Sequence, residues 1–212
     1  MKRKLAGLYA VTPDEPRTDI LVAKVGEAFR GGVAALQYRN KTAGQKLRLE
    51  QARALAALCG EVGVIFIVND DVELALESGA DGAHLGAEDG DLADARRRLG
   101  QGKLLGASCY DRIDLAAAAV QAGADYLAFG SVFSSLTKPG AVRAPLAIFG
   151  EARRRFALPL VAIGGITLQN APQVFAAGAD AVAVISAVFD ARDIAASAAG
   201  FNRLYQPQRM QQ

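Results

Sequence analysis

Basic and amide side chains follow the second apolar stretch of the chain, at a spacing that favours binding of a polyphosphate. Gln37 and Arg39 are two residues apart at the end of a predicted strand, so both point to the same side, and Lys41 continues that line. An arginine guanidinium forms paired hydrogen bonds with phosphate, and a lysine ammonium adds a mobile point charge. The pattern suits a pyrophosphate, although two solvated surface cations would look the same.

Two aspartates follow the third and fourth predicted strands and have the chemistry of a magnesium site. Asp70 and Asp89 are expected on adjacent strand ends, where two hard carboxylates can share one Mg²⁺ with water and phosphate oxygens. Capping of a helix is the alternative role for an aspartate at such a position. We assign capping to Asp71 and Asp91, and metal binding to Asp70 and Asp89, because cations lie on the same rim.

Glycine and hydroxyl residues follow the later strands. Gly164 and Gly165 come directly after an apolar run, where backbone N–H groups can approach an anion closely, and Ser186 follows the last predicted strand. The other polar residues expected just past strand ends are Asn69, Ser108, Ser134, Ser135, Thr137 and Lys138. His84, the only histidine, is inside a predicted strand, and we expect it to pack in the interior rather than act as a general base.

An internal repeat predicts the elements that position these residues. Four segments, beginning at Gly31, Gly79, Gly123 and Gly178, each follow a helical pattern and enter a short apolar run. Four further apolar runs, at 8–11, 64–68, 104–107 and 160–163, alternate with them. The intervening helices are expected near 20–30, 44–60, 71–78, 91–99, 111–122, 145–156, 170–177 and 190–204.

Strict alternation of eight strands with helices predicts an α/β fold, a single (β/α)₈ TIM barrel. The barrel is expected to be one catalytic domain over residues 1–205, followed by a polar tail at 206–212. An open doubly wound sheet is the alternative. In either case the functional residues should gather at the carboxyl ends of the strands.

Composition limits the classes of partner. The 24 Lys and Arg against 22 Asp and Glu give a net charge of +2, with the two signs interspersed, which argues against nucleic acid and membrane partners. Cys59 and Cys109 have no metal-ligand spacing, so two free thiols in a cytoplasmic protein are expected. The sequence leaves open whether the protein is a monomer or a homo-oligomer.

Motifs along the chain resemble those of the thiamine phosphate synthase family, from Leu8 through Ala187. They are Gln37-Tyr38-Arg39-Asn40-Lys41, Ile67-Val68-Asn69-Asp70-Asp71-Val72-Glu73-Leu74-Ala75, Ala80-Asp81-Gly82-Ala83-His84-Leu85-Gly86, Glu88-Asp89, Ser135-Leu136-Thr137-Lys138 and Ala162-Ile163-Gly164-Gly165-Ile166. The resemblance implies that a pyrimidine pyrophosphate loses pyrophosphate and that the nitrogen of a thiazole phosphate attacks its methylene carbon. It further implies a dissociative path through a pyrimidine cation.

The resemblance also implies a role for individual residues. Gln37 would hold the aminopyrimidine, and Asp70 and Asp89 would hold Mg²⁺. The pyrophosphate would be bound by Arg39, Lys41, Asn69, Ser108 and Lys138, of which Arg39, Lys41, Ser108 and Lys138 are the expected catalytic groups. The thiazole phosphate would be bound by Ser135, Thr137, Gly165, Ile185 and Ser186.

Two positions depart from the family pattern, and three other functions remain open. Ala87 stands where the family usually has Gln, and Ser134 where it usually has Pro; neither change removes a charge or an expected metal ligand. The alternatives are a thiazole tautomerase, a non-catalytic sensor of thiamine phosphate, and a different phosphate-sugar barrel enzyme. The presence of Arg39, Asp70 and Lys138 argues against the first two, and the paired carboxylates against the third.

Overall fold

The computed structural model describes residues 5–134 and 142–205, which contain a closed barrel of eight parallel strands. The strands are β1 Gly7–Val11, β2 Ala35–Tyr38, β3 Ile65–Asn69, β4 Gly82–Leu85, β5 Leu104–Tyr110, β6 Tyr126–Gly130, β7 Leu160–Ile163 and β8 Ala181–Val184. Neighbouring strands pair in chain order, and β8 pairs with β1 to close the barrel. The predicted (β/α)₈ TIM barrel is therefore confirmed, and the open sheet is excluded.

Helices follow the strands and pack on the outside of the barrel. They are α1 Thr18–Arg30, α2 Gln45–Val62, α3 Val72–Ser78, α4 Leu92–Leu99, α5 Ile113–Gln121, α6 Ala147–Arg155, α7 Ala171–Ala176, α8 Ser186–Phe189 and α9 Ile194–Leu204. The predicted helices are found with boundaries shifted by a few residues, whereas the short helix α8 was not predicted. The expected caps are confirmed: Asp71 accepts from Leu74 N at 2.9 Å and Asp91 from Asp94 N at 2.7 Å.

The aspartate of the internal repeat joins each new strand to the preceding one. Asp81 accepts a hydrogen bond from Phe66 N at 2.8 Å, and its own backbone N–H donates to Phe66 O. Asp125 and Asp180 repeat this double contact with Leu105 and Leu160. The repeated Gly-Ala-Asp pattern therefore fixes the strand register at the end of the barrel where the strands begin, opposite the rim that carries the polar residues.

Two apolar cores are separated by the sheet, because side chains alternate between its faces along every strand. One core lies between sheet and helices, and the smaller one fills the barrel interior with residues such as Val11, Ile65, Ile67 and Val161. Within residues 5–134 and 142–205, none of the helices combines the length and the apolarity that crossing a bilayer requires. The predicted tail at 206–212 lies outside the described residues.

Candidate active site

Arg39 leaves the end of β2 and is held by the loop after β1. Its backbone N–H donates to Thr12 Oγ1 at 2.8 Å, and the Thr12 hydroxyl donates to Arg39 O at 2.8 Å. The guanidinium donates to Asp14 Oδ1 at 3.2 Å, and the same oxygen accepts from Lys41 N at 2.9 Å. Asp14 therefore orders both predicted phosphate-binding cations from one position.

Lys41 connects this loop to the pair of aspartates. Its Nζ lies 2.8 Å from Asp70 Oδ2, and the carboxyl groups of Asp70 and Asp89 are close enough for the ionisation of each to affect the other. Burial opposes ionisation of Asp70, but the hydrogen bonds from Lys41 and Asp89 outweigh it and hold the pKa of Asp70 below its ordinary value. For Asp89, burial and the hydrogen bond to Asp70 both raise the pKa. The two carboxyls thus compete for one proton, as closely spaced acids do.

Backbone contacts fix the position of both carboxyl groups. Asp70 has a φ of 62°, a left-handed conformation that is uncommon for a residue with a side chain, and its N–H donates to His84 O at 2.8 Å. Asp89 Oδ2 accepts from Gly86 N at 2.8 Å. The ends of β3 and β4 therefore bring together two residues that are well separated in sequence, as predicted for Asp70 and Asp89.

A cavity of about 250 Å³ opens beside Lys41 and Asp70. Its lining is formed by Tyr38, Asn40, Lys41, Ala43, Arg48, Asn69, Asp70 and Asp71. Arg48 pairs with Asp71 at 3.2 Å, while its Nε is buried and has no hydrogen-bond partner within the described residues. The cavity combines cationic donors, two amides and two carboxylates, groups that can bind phosphate oxygens and a hydrated cation.

The barrel interior carries an unbroken chain of hydrogen bonds. Gln37 Nε2 donates to Tyr9 Oη at 2.9 Å, Tyr9 Oη lies 2.9 Å from Tyr126 Oη, and Tyr126 Oη lies 3.0 Å from His84 Nδ1. His84 Nε2 lies 2.9 Å from Ser108 Oγ. Burial lowers the pKa of His84 to about 4 and raises the pKa of both tyrosines, so these groups are neutral near pH 7.

The structure corrects the positions predicted for three of these polar residues and confirms the position predicted for a fourth. Gln37, Asn69 and Ser108 were expected just past strand ends, but they lie within β2, β3 and β5. For Ser108 the reason is that β5 runs on to Tyr110, with an irregular register after Ser108. Gln37 and Ser108 therefore lie at the top of the barrel interior rather than on loops. His84 is an interior residue of β4, as expected.

The ends of β7 and β8 form a second part of the rim. Gly164 and Gly165 have φ of 104° and 61°, and a Cβ on Gly164 would lie 2.7 Å from Ser131 Cα. Ile185 precedes α8, and Ser186 is its first residue. Loops after strands seven and eight, with a short extra helix, are the usual phosphate site of this fold, and Gly165, Ile185 and Ser186 lie there, so phosphate binding by them stays a prediction.

The predicted residues Ser135, Thr137 and Lys138 lie outside the described residues. The position just before them is described: the hydroxyl of Ser134, one of the two departures from the family pattern, accepts a hydrogen bond from Arg143 at 3.1 Å. At the other departure, Ala87 N donates to the Tyr110 hydroxyl at 3.3 Å. Both positions are thus anchored to residues of this chain.

Several residues of the site were missed by sequence reasoning. Thr12 and Asp14 belong to the loop after β1, where no functional residue was predicted, and the Thr-Pro-Asp sequence there was the available signal. Tyr9 was hidden in a strand that reads as apolar, and Tyr126 was expected only to pack. Arg48 lies on the first turn of α2, and nothing in its helical pattern distinguishes it from a solvent-exposed arginine.

A family model described as thiamine monophosphate synthase matches residues 8–188. The chain belongs to this family. Thiamine-phosphate synthases of Aromatoleum aromaticum and Thiobacillus denitrificans are 59% and 54% identical to the chain, over 95% and 94% of its length and 97% and 94% of theirs. The solved thiamine phosphate pyrophosphorylase of Pyrococcus furiosus is 35% identical with a TM-score of 0.84, covering 95% of this chain and 96% of that one.

A more distant likeness shows the fold alone. A solved 3-hexulose-6-phosphate synthase has a TM-score of 0.70 at 19% identity, covering 93% of this chain and 99% of that one. Barrels of this shape support many chemistries, so this likeness lends no support to the alternative of a different phosphate-sugar enzyme.

Proposed function

We propose that this protein joins 4-amino-2-methyl-5-hydroxymethylpyrimidine pyrophosphate to hydroxyethylthiazole phosphate, with release of pyrophosphate, by a Mg²⁺-assisted dissociative substitution. As a member of the thiamine-phosphate synthase family, the protein is a transferase that forms thiamine phosphate. The observation that carries the proposal further is the contact of Lys41 with Asp70, whose carboxyl interacts with that of Asp89, at the edge of a polar cavity.

The proposed reaction needs electrostatic stabilisation more than proton transfer. The methylene C–O bond breaks and its electron pair leaves with pyrophosphate; the lone pair of the thiazole nitrogen then forms the new C–N bond. Negative charge grows on the leaving group in the transition state, so fixed cations beside it lower the barrier. Arg39 and Lys41, held by Asp14 and Asp70, would take this role, and Asn69, Ser108 and Lys138 would be further ligands; the two contacts with aspartates support the proposal.

The donor set fits Mg²⁺. Two carboxylates on adjacent strand ends, already close enough to be hydrogen-bonded, match an ion that takes one or two protein carboxylates and completes its coordination with water and phosphate oxygens. No cluster of three or more His, Cys, Asp or Glu suited to a metal occurs within the described residues, so a site built wholly from protein ligands is not found there. Bound Mg²⁺ would neutralise charge on the pyrophosphate.

The second substrate is proposed to bind at the ends of β7 and β8. Gly165 lacks a side chain at the point where a Cβ would lie 2.9 Å from Phe133 Cβ, so the loop after β7 closely approaches the segment after β6. Together with Ile185, Ser186, Ser135 and Thr137, it would hold the thiazole phosphate. We place the reaction in the cytoplasm, because both cysteines are buried free thiols.

The test is synthesis of thiamine phosphate by the purified protein. The protein is incubated with both phosphorylated substrates and MgCl₂, and thiamine phosphate and pyrophosphate are measured by chromatography. We expect equal amounts of the two products, none when either substrate is omitted, and none with excess EDTA. Asp70→Asn should raise the Mg²⁺ concentration needed, whereas Asp91→Asn, which changes an aspartate that caps α4, should not.

Each part of the proposal has its own contrary result. Failure to form thiamine phosphate with both substrates and Mg²⁺ present would reject the assigned substrates, and binding of thiamine phosphate without turnover would favour the sensor alternative. Isomerisation of the thiazole phosphate alone would favour the tautomerase. Full activity in EDTA would reject the metal site while leaving the substrates in place.

A further inference from the structure

We infer that every hydrogen bond of the interior chain is donated in one direction, from Gln37 towards Ser108. Tyr9, Tyr126 and His84 then act as positioning residues. In this sense Gln37 presents an acceptor to the substrate and Ser108 presents a donor. The chain itself is an observation of the barrel interior, and only the identity of the substrate groups at its two ends rests on the proposed function.

Counting protons along the chain gives its direction. The Gln37 amide nitrogen donates to Tyr9 Oη, and an amide nitrogen cannot accept. Tyr9 has a single hydroxyl proton, so that proton goes to its other partner, Tyr126 Oη, and the proton of Tyr126 goes to His84 Nδ1. Since Nδ1 accepts, the proton of the neutral imidazole is on Nε2, which donates to Ser108 Oγ.

The direction of the hydrogen bonds determines which groups are free on Gln37 and Ser108, the two ends of the chain. The Ser108 hydroxyl proton and the Gln37 Oε1 have no other hydrogen-bond partner in the part of the chain that the structure describes. One end therefore offers a donor, which suits a phosphate oxygen, and the other offers an acceptor, which suits an exocyclic amino group. The proposed pyrimidine pyrophosphate carries both groups. A chain running the other way would turn a lone pair of Ser108 towards the phosphate.

Burial keeps the sense fixed. Tyr9 and Tyr126 are each 1% exposed, Gln37 is 5% exposed and His84 is 7% exposed, so bulk water does not offer these groups replacement partners. Reversal would require every hydroxyl and the imidazole tautomer to change together, and hydrogen-bond chains in a low-dielectric interior strengthen one another. Tyr9, Tyr126 and His84 have no assigned contact with substrate in the proposed reaction. They determine that Gln37 presents an acceptor and Ser108 a donor.

The only histidine of the chain makes the tautomer directly measurable. Protein labelled with ¹⁵N at histidine is examined by NMR at pH 7, and we expect His84 to carry its proton on Nε2 alone. In Tyr126→Phe, Nδ1 loses its donor, so both tautomers should be populated. Synthesis of thiamine phosphate should then slow by about ten- to a hundredfold in kcat, the size usual for groups that orient a ligand from behind, with little change in the KM for thiazole phosphate.

Two controls separate this role from a structural one. Tyr38→Phe removes another buried hydroxyl, which donates to Gln51 Oε1 at 2.8 Å and does not belong to the interior hydrogen-bond chain. This change should leave the His84 tautomer unchanged. In a Ser108→Ala background, adding Tyr126→Phe should slow the reaction by much less than it does in the wild type, because the hydroxyl it positions is already absent.

Wild-type protein with the proton on Nδ1 would overturn the inference, whatever its activity and whether or not Tyr126→Phe folds. So would a folded Tyr126→Phe with the wild-type tautomer and rate. If the wild type formed no thiamine phosphate but carried its proton on Nε2, the sense of the chain would stand and the proposed function would fall. The two failures are therefore distinguishable.

Discussion

Gly106 occupies the place in β5 between His84 and Tyr126. The strand register pairs His84 with Gly106 and Gly106 with Tyr126, so the three residues lie side by side at one level of the barrel. Because position 106 has no side chain, the two rings stack across it with centroids 5.4 Å apart. A Cβ at this position would collide with Tyr126 Cζ and Oη and would lie 2.5 Å from His84 Nδ1. We therefore expect Gly106→Ala to force the two rings apart.

The expected loss of stability has two contributions. Adding a methyl group to a closely packed interior costs about 1–3 kcal/mol. Breaking the Tyr126–His84 hydrogen bond leaves a buried polar group unsatisfied, which costs about 1–3 kcal/mol more. Gly106 does not have the positive φ that would add backbone strain. The total, about 2–6 kcal/mol, is a large part of the roughly 5–15 kcal/mol that stabilises a typical domain.

Urea denaturation followed by circular dichroism measures this change, and Gly26→Ala is the matched control. Gly26 lies in the middle of α1, and a Cβ there would meet nothing within 4 Å, so alanine should stabilise the protein by about 0.5–1 kcal/mol. Gly106→Ala should also slow thiamine phosphate synthesis by at least as much as Tyr126→Phe. A Gly106→Ala protein with wild-type stability and rate would refute the reasoning.

Four further results are expected. Asp89→Asn should leave the free energy of unfolding without Mg²⁺ unchanged or higher, since it removes a carboxyl whose ionisation Asp70 opposes, but should raise the Mg²⁺ concentration for half-maximal rate by about tenfold or more in a titration. Lys138→Ala should lower the single-turnover rate about a hundredfold, because in the proposed reaction its charge acts on the leaving group, whereas Ser186→Ala should change that rate little; equal effects would contradict these proposed roles. Gly165→Ala, at φ of 61°, should raise the KM for thiazole phosphate more than it lowers kcat in steady-state assays. Burial lowers the pKa of His84 from 6.5 to about 4. The neutral imidazole therefore contributes its full stability above pH 6.5, and this contribution is lost as pH falls towards 4. In denaturation curves of His84→Gln, the loss of stability between pH 6.5 and 4 should be smaller than in the wild type.

Sequence periodicity was sufficient for the fold because each strand and helix is specified locally. Apolar runs entered through Gly-Ala-Asp or similar turns gave the eight strands, and their count gave the closed barrel. The caps at Asp71 and Asp91 were predictable for the same reason, since a cap depends on residues within one turn. The meeting of Asp70 with Asp89 followed from strand adjacency alone.

Sequence periodicity could not predict the interior hydrogen-bond chain or the short helix α8. Tyr9 and Tyr126 are 117 positions apart, and whether their hydroxyls meet depends on the barrel's register and on a glycine in a third strand. The true end of β5 was also missed, because Ser108 reads as a polar residue that should terminate an apolar run, whereas its side chain has a partner inside the barrel. Contacts of this kind are properties of the closed sheet rather than of any segment.

The polar chain also explains how a packed barrel interior can take part in a site on its rim. Below it, residues such as Val161 and Ile65 fill the barrel in the usual way, and polar groups above them would be costly if unpaired. The polar groups in the middle of the chain, on Tyr9, Tyr126 and His84, are hydrogen-bonded to one another or to the two ends. In the proposed sense, the Gln37 acceptor on β2 and the Ser108 donor on β5 remain for the substrate. Their separation is therefore set by the strands rather than by loops. Strands of a closed barrel move less than loops, so the spacing between Gln37 and Ser108, the proposed amine-binding and phosphate-binding ends, is set before substrate arrives, which is the preorganisation that an electrostatically stabilised reaction requires.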